Sequence, residues 1–127
     1  MGWPIREPST IYAIRCIANG KVYIGRTQDL DRRVREHLYE LRRGLKNCGG
    51  RKDNGFQHDY NKYGEYAFEV YVLEDRVPPS EAQNREVFWI SEYNATNPIY
   101  GYNISDGMTA RPKVLPIRKG LPEKRCK

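Results

Sequence analysis

Apolar and polar positions alternate twice near the start of the chain and then change period. Over residues 11–17 one side carries Ile11, Ala13, Arg15 and Ile17 and the other Tyr12, Ile14 and Cys16, the period of two that a strand presents. Asn19-Gly20 is a hairpin-turn dipeptide, and Val22-Tyr23-Ile24 returns as the partner strand before Gly25. Tyr12 and Tyr23 then share a sheet face unless the register slips, which would separate them. From Asp29 the period becomes helical, with Leu30, Val34, Leu38, Leu41 and Leu45 forming an amphipathic stripe. Gly44 falls near the end of this helix, and Arg42 and Arg43 occupy its last turn, where cations suit the dipole.

Residues 46–55 are rich in Gly and Asn without an apolar anchor and predict a loop. A short helix over 56–63, closed by Gly64, follows, and residues 67–73 alternate as a third strand. Pro78-Pro79 interrupts the chain, and Ser80 with Gln83 three residues on predicts a capping box opening a second long helix to about Tyr93. Asn97-Pro98 and Gly101 mark a loop ahead of a short extended piece, Tyr102-Asn103-Ile104. No internal repeat is present.

At 127 residues the chain is sized for one domain. With 39% hydrophobic and 30% charged residues it is expected to be a soluble globular protein, and no apolar run approaches a membrane span. Residues 1–6 lack the apolar core of a signal peptide, and Arg6 stands where a myristoylation signal wants Ser or Thr, so an intracellular setting is expected. Cys16, Cys48 and Cys126 are odd in number and scattered, without a CxxC pair, and His37 and His58 are the only histidines. That excludes a zinc knuckle or disulfide framework in favour of free thiols.

Charge changes the picture through its placement. Residues 1–108 hold 15 basic and 15 acidic side chains, so the net +6 resides entirely in residues 109–127. Within the neutral part, residues 21–52 carry ten bases against four acids, and residues 59–106 three against nine. A domain basic at one end suits a polyanion docking there, although an ordinary mixed surface would look similar.

Candidate chemistry sits on the helices and the hairpin. Arg33 and His37 lie four residues apart on one helix face beside the leucine stripe. An arginine there can grip a phosphate and stabilise charge on a pentacovalent phosphorus, but in a helix with five arginines a solvated role is the commoner one. His37 can accept a proton or hold a tyrosine hydroxyl. Glu86 falls in the stripe Ala82, Glu86, Ile90, Tyr93, where a carboxylate is costly unless it is paired or binds a metal. Magnesium fits such a single carboxylate, and a salt bridge to an arginine such as Arg33 is the equal alternative.

The joint order of these blocks carries more than any one of them. Ile-Tyr-Ala-Ile precedes Tyr-Ile-Gly, Arg33 follows that glycine by eight residues and His37 by four more. Phe56-Gln57-His58-Asp59-Tyr60-Asn61-Lys62-Tyr63-Gly64, Arg85-Glu86-Val87-Phe88-Trp89-Ile90 and Gly101-Tyr102-Asn103-Ile104 then follow in order. This set resembles the GIY-YIG nuclease family over roughly residues 10–106, most closely its phage and intron homing endonuclease branch.

The resemblance implies an α+β fold, a small three-stranded antiparallel sheet flanked by helices, that cuts DNA with one divalent ion, Mg2+ or Mn2+. It covers a domain at 10–106, leaving an extension at 1–9 and a tail at 107–127 whose prolines, glycines and charge run predict a basic, mobile segment. It assigns Tyr12 as general base or water-positioning group, Tyr23 near the scissile phosphate, and Arg33 as the essential arginine. Glu86 becomes the metal ligand, Asn103 a supporting asparagine, and His37 a frequent helix histidine. Arg26 stands where some members place a lysine. Arg26, Arg42, Lys46, Arg51 and Lys52, together with Tyr39, are the expected DNA contacts. Two departures stand out: Thr10 replaces the first glycine of the signature, and residues 47–54 look like an insertion where the homing branch often has a further histidine.

The leading expectation is therefore a metal-dependent DNA endonuclease of homing or stand-alone phage type. A structure-specific repair or recombination nuclease and a catalytically weak nucleic-acid-binding module are the alternatives. DNA is the expected partner, a membrane is not, and the oligomeric state stays open, monomer included. The chain is either a stand-alone nuclease of low sequence specificity or a piece of something longer.

Overall fold

β1 (Ser9–Cys16) and β2 (Val22–Thr27) form the expected hairpin in a computed structural model that describes residues 7–45 and 55–104. The turn is held by Asn19, whose side-chain oxygen accepts from the Lys21 backbone N–H at 3.0 Å, with Gly20 at φ 80°. Ile14 pairs with Tyr23 and Tyr12 with Gly25, so the two tyrosines do share a face. Thr10 is an ordinary β1 residue paired with Thr27, and its hydroxyl donates to Asp75 at 3.0 Å. Its backbone lies outside the left-handed region, so this position has no need of a glycine.

α1 (Leu30–Arg42) starts at Asp29, whose carboxylate accepts from Arg32 N at 3.1 Å. It ends earlier than the leucine stripe suggests, because Gly44 at φ 72° turns the chain and leaves Leu45 exposed. α2 (Phe56–Tyr63) occupies its expected span. β3 (Phe68–Val77) runs four residues past the expected limit, bending through irregular pairing between Ser9 and Tyr12. α3 (Pro79–Glu92) opens at Pro78 without a side-chain cap. The expected Ser80–Gln83 capping box is therefore corrected: the two prolines preset the start and leave Ser80 inside the first turn.

The sheet has the order β2-β1-β3, all antiparallel, with β1 in the centre. Alternation along β1 splits the core in two. Ile11 and Ala13 pack with Val22, Ile24 and Val77 against Ala82 and Ile90 of α3. Tyr12, Ile14 and Cys16 pack on the other face against Leu41 of α1, Phe56 of α2 and Tyr102. Each helix layer thus buries one face of a small sheet. Cys16 is a buried free thiol, as expected, while Cys48, Cys126, the residue 46–54 loop and the basic tail lie outside the described residues.

The edge of β2 is covered by the chain beyond α3. Val22 N donates to Tyr100 O at 3.2 Å and Tyr102 N to Val22 O at 2.8 Å. Asn103 then takes over with its side chain, accepting from Ile24 N at 2.8 Å and donating to Ile24 O at 2.9 Å. An amide side chain here does the work of one more strand residue on a strand edge. Gly101 makes this approach feasible, since a Cβ there would lie 2.3 Å from Ala95 O.

Two polar clusters join the helices to this frame. Asp59 of α2, buried, accepts from Tyr102 Oη at 2.6 Å and from Asn19 Nδ2 at 2.9 Å, tying the hairpin turn to the covering segment. Glu65 receives both Arg42 Nε (2.8 Å) and an Arg42 terminal nitrogen (2.6 Å), and Tyr60 Oη at 2.8 Å. The Arg42 hydrogen bond and then that of Tyr60 hold the Glu65 carboxyl down at about 2. A depressed carboxyl stabilises the fold above its unfolded value of 4.5, and that contribution is lost as pH falls toward 2. Glu65→Gln is accordingly expected to flatten the fall of Tm between pH 4.5 and 2 relative to the unsubstituted chain. Parallel Tm–pH curves in that window would remove the clamp from the account.

Candidate active site

Residues from the hairpin, α1 and α3 meet at the β2 side of the sheet. Tyr12 is 1% exposed, and its ring crosses the β2 backbone at Gly25. A Cβ on Gly25 would lie 2.5 Å from Tyr12 Oη and 2.7 Å from its Cζ, so only glycine leaves room for the phenol. Across this gap Tyr12 Oη is 2.9 Å from Nε2 of His37, itself 1% exposed. The Tyr23 ring completes the cluster, with its centroid 6.3 Å from that of Tyr12 and 5.2 Å from that of His37. The helix therefore turns His37 and Leu41 into the protein more deeply than Val34 and Leu38 of the leucine stripe. Those two line a cavity of about 270 Å³ beside Ile14 and Phe68.

Burial raises the pKa of both phenols. At Tyr12 the neighbouring Tyr23 adds to the rise, Arg33 opposes it and Glu86 contributes a smaller increase. At Tyr23 Arg33 opposes burial and Glu86 reinforces it. Both tyrosines are neutral at rest. Arg33 lies one helical turn before His37, partly buried, with a terminal nitrogen 3.0 Å from Glu36 Oε1. Burial works against its charge, yet Tyr12, Tyr23 and Glu36 outweigh this, and its pKa is raised. It is a fixed cation facing two phenols.

Glu86 projects from α3, which packs on the opposite face of the sheet, and meets Arg26 of β2. Its side chain is 16% exposed, and its Oε1 is 3.1 Å from Arg26 Nε. Burial raises the Glu86 pKa and Arg26 opposes the rise. The alternative left open by the sequence, pairing with an arginine such as Arg33, is thus realised with Arg26 instead, while Arg33 pairs with Glu36. Among the described residues no group of three or more His, Cys, Asp or Glu side chains could enclose a metal. A lone, partly buried carboxylate beside an arginine suits an ion that takes its remaining ligands from water and phosphate.

The other expected site residues fall outside this cluster. Asn103 spends its amide on Ile24, so it positions β2. Arg42, an expected DNA contact, is ion-paired with Glu65 while its side chain stays exposed. Arg35, Tyr39, Arg42 and Arg43 border a shallow groove on the outer side of α1, with the Arg43 guanidinium 5.0 Å above the Tyr39 ring. Lys46, Arg51 and Lys52 lie outside the described residues. Sequence reasoning missed Asp59, for which an acid on a short polar helix offers no signal, and it missed Gly25 as the space that admits Tyr12.

Comparison with known proteins follows the same outline. A profile of the GIY-YIG catalytic domain matches residues 8–103. Intron-associated endonuclease 1 of Enterobacteria phage T4 is 36% identical over 100 residues, which are 77% of this chain and 37% of that protein. The chain therefore spans little more than a third of that relative's length. Two solved structures of the catalytic domain of the intron homing endonuclease I-TevI, one a point mutant, are each 34% identical with a TM-score of 0.64. They cover 78% and 76% of this chain and are themselves covered to 95% and 98%. The antiparallel three-stranded sheet with its three helices is the fold of those domains, and the chain belongs to the GIY-YIG nuclease family.

Proposed function

We propose that the protein is a phage-type DNA endonuclease that hydrolyses a phosphodiester bond with a single divalent ion, Mg2+ or Mn2+, held by Glu86. The observation that carries this reading is the Tyr12–His37 contact beside the Tyr23 ring, with Arg33 one turn away on the same helix and acting on both phenols. Such an ion would neutralise phosphate charge and help acidify the attacking water.

The chain's own residues supply the rest. With His37 Nε2 unprotonated, Tyr12 donates to it and keeps its oxygen lone pairs free toward the attacking water. As water loses its proton to Tyr12, the phenolic proton passes to His37, so no free phenolate is needed despite the raised Tyr12 pKa. Arg33, fixed by Glu36, offers its remaining N–H groups to the charge developing on the non-bridging phosphate oxygens. Tyr23 packs beside both groups and orients the phosphate. DNA would approach over the arginine-bordered groove of α1, consistent with the basic end of the domain. Among the described residues no helix is long and apolar enough to cross a membrane, and likeness to a phage T4 protein supports a phage-encoded origin.

Nicking of supercoiled plasmid with Mg2+, Mn2+ or EDTA tests this. Glu86→Ala and Arg33→Ala are each expected to reduce the metal-dependent rate by about 10²-fold or more. Cutting that survives in both variants sinks the site assignment. No cutting by the unsubstituted chain, with salt-sensitive DNA binding retained, would make it a binding module.

A further inference from the structure

Glu86 already has a cation, and that cation is well placed to leave. Arg26 Nε meets Glu86 Oε1 at 3.1 Å, the Arg26 side chain is 36% exposed, and the carboxylate is only 16% exposed. Arg26 follows Gly25 on β2, opposite Ile11, so its backbone is held by the sheet while its side chain projects at the rim. A divalent ion coordinates carboxylate oxygen at about 2.1 Å. At that distance from Oε1 it would press against the positive guanidinium, and two cations cannot share one oxygen cheaply in a partly buried site. The ion and Arg26 are thus alternative partners of the same carboxylate. An arginine released from Glu86 stays at the β2 rim, one residue after Gly25, on the α3-side face where Glu86 would hold the ion.

We propose that Arg26 is an internal counter-ion of Glu86 that a divalent cation must displace, and that the displaced guanidinium then binds DNA phosphate. This rests on the metal role of Glu86 argued above. It gives Arg26 opposite effects on two ligands, which a purely structural residue would not show. Free Mn2+ counted by electron paramagnetic resonance during titration of the full chain reads the first. Arg26→Gln is expected to bind Mn2+ about five- to tenfold more tightly than the unsubstituted chain, the scale of a partly screened ion pair. A non-cleavable phosphorothioate duplex with Mn2+ present reads the second. There Arg26→Gln is expected to bind more weakly, with a salt slope reduced by about one. Equal, weaker or undetectable Mn2+ binding by Arg26→Gln overturns the exchange, as does unchanged DNA affinity. Glu86→Gln separates this from the broader reading. If it abolishes Mn2+ binding while Arg26→Gln leaves it unchanged, only the exchange fails; if it binds Mn2+ normally, the metal role of Glu86 fails as well.

Discussion

Gly25→Ala is expected to lower DNA cleavage by about 10²-fold while leaving the fold in place. The added Cβ would meet Tyr12 Oη at 2.5 Å, so the phenol must retreat by about 1 Å to reach ordinary van der Waals contact. A tyrosine ring can make that shift, because the clash falls on the far end of the side chain and not on backbone. Its hydroxyl cannot do so and keep the 2.9 Å contact to His37 Nε2. Displacement on that scale at a reacting group commonly costs about two orders of magnitude. Plasmid nicking paired with a thermal melt checks the separation. Full activity in Gly25→Ala would mean that the Tyr12–His37 contact is not part of the chemistry. Loss of folding as well as activity would make Gly25 a stability residue first.

The largest expected stability effect lies outside the phenol cluster. Asn103→Leu removes both hydrogen bonds to Ile24 and leaves a buried N–H and C=O of β2 without partners. Each orphaned group costs about 1–3 kcal/mol, so a total near 3 kcal/mol is expected. For a domain of this size that lowers Tm by roughly 10 °C or more. Asn103→Asp should not rescue it, because a carboxylate keeps an acceptor for Ile24 N but sets a negative charge against Ile24 O. A Tm within about 1 °C of the unsubstituted chain in Asn103→Leu would show that the covering segment contributes little. Any accompanying loss of activity would act through β2, which carries Tyr23, Gly25 and Arg26 on consecutive or alternate positions.

These two cases mark where legibility stopped. The strand pair, the two long helices and the order of Tyr12, Tyr23, Arg33, His37 and Glu86 were readable because each belongs to a local period or a short block. Tyr12 and Tyr23 share a face because alternation and a short turn between Cys16 and Val22 leave few registers. The missed boundaries have local causes too. A glycine with positive φ ended α1 before Leu45, and paired prolines started α3 ahead of Ser80.

The partners of the charged side chains were not readable. Arg26 with Glu86 and Arg42 with Glu65 are separated by 60 and 23 residues, and nothing in either neighbourhood distinguishes these arginines from their solvated neighbours. Asp59 with Tyr102 is a pair of the same kind across 43 residues.

By itself, then, the sequence determined the element types, the shared face of the two tyrosines and the ordered residue set of a GIY-YIG domain. Hydrophobic period and turn chemistry act over a few residues and leave their mark directly on the chain. Only the tertiary structure decided that Tyr12 lies over Gly25 of β2 to reach His37, that Asn103 completes the strand edge, and that Arg26 neutralises Glu86. Those outcomes depend on which side chains share a crowded, water-poor space after the two helix layers close on the sheet, and no local pattern encodes that.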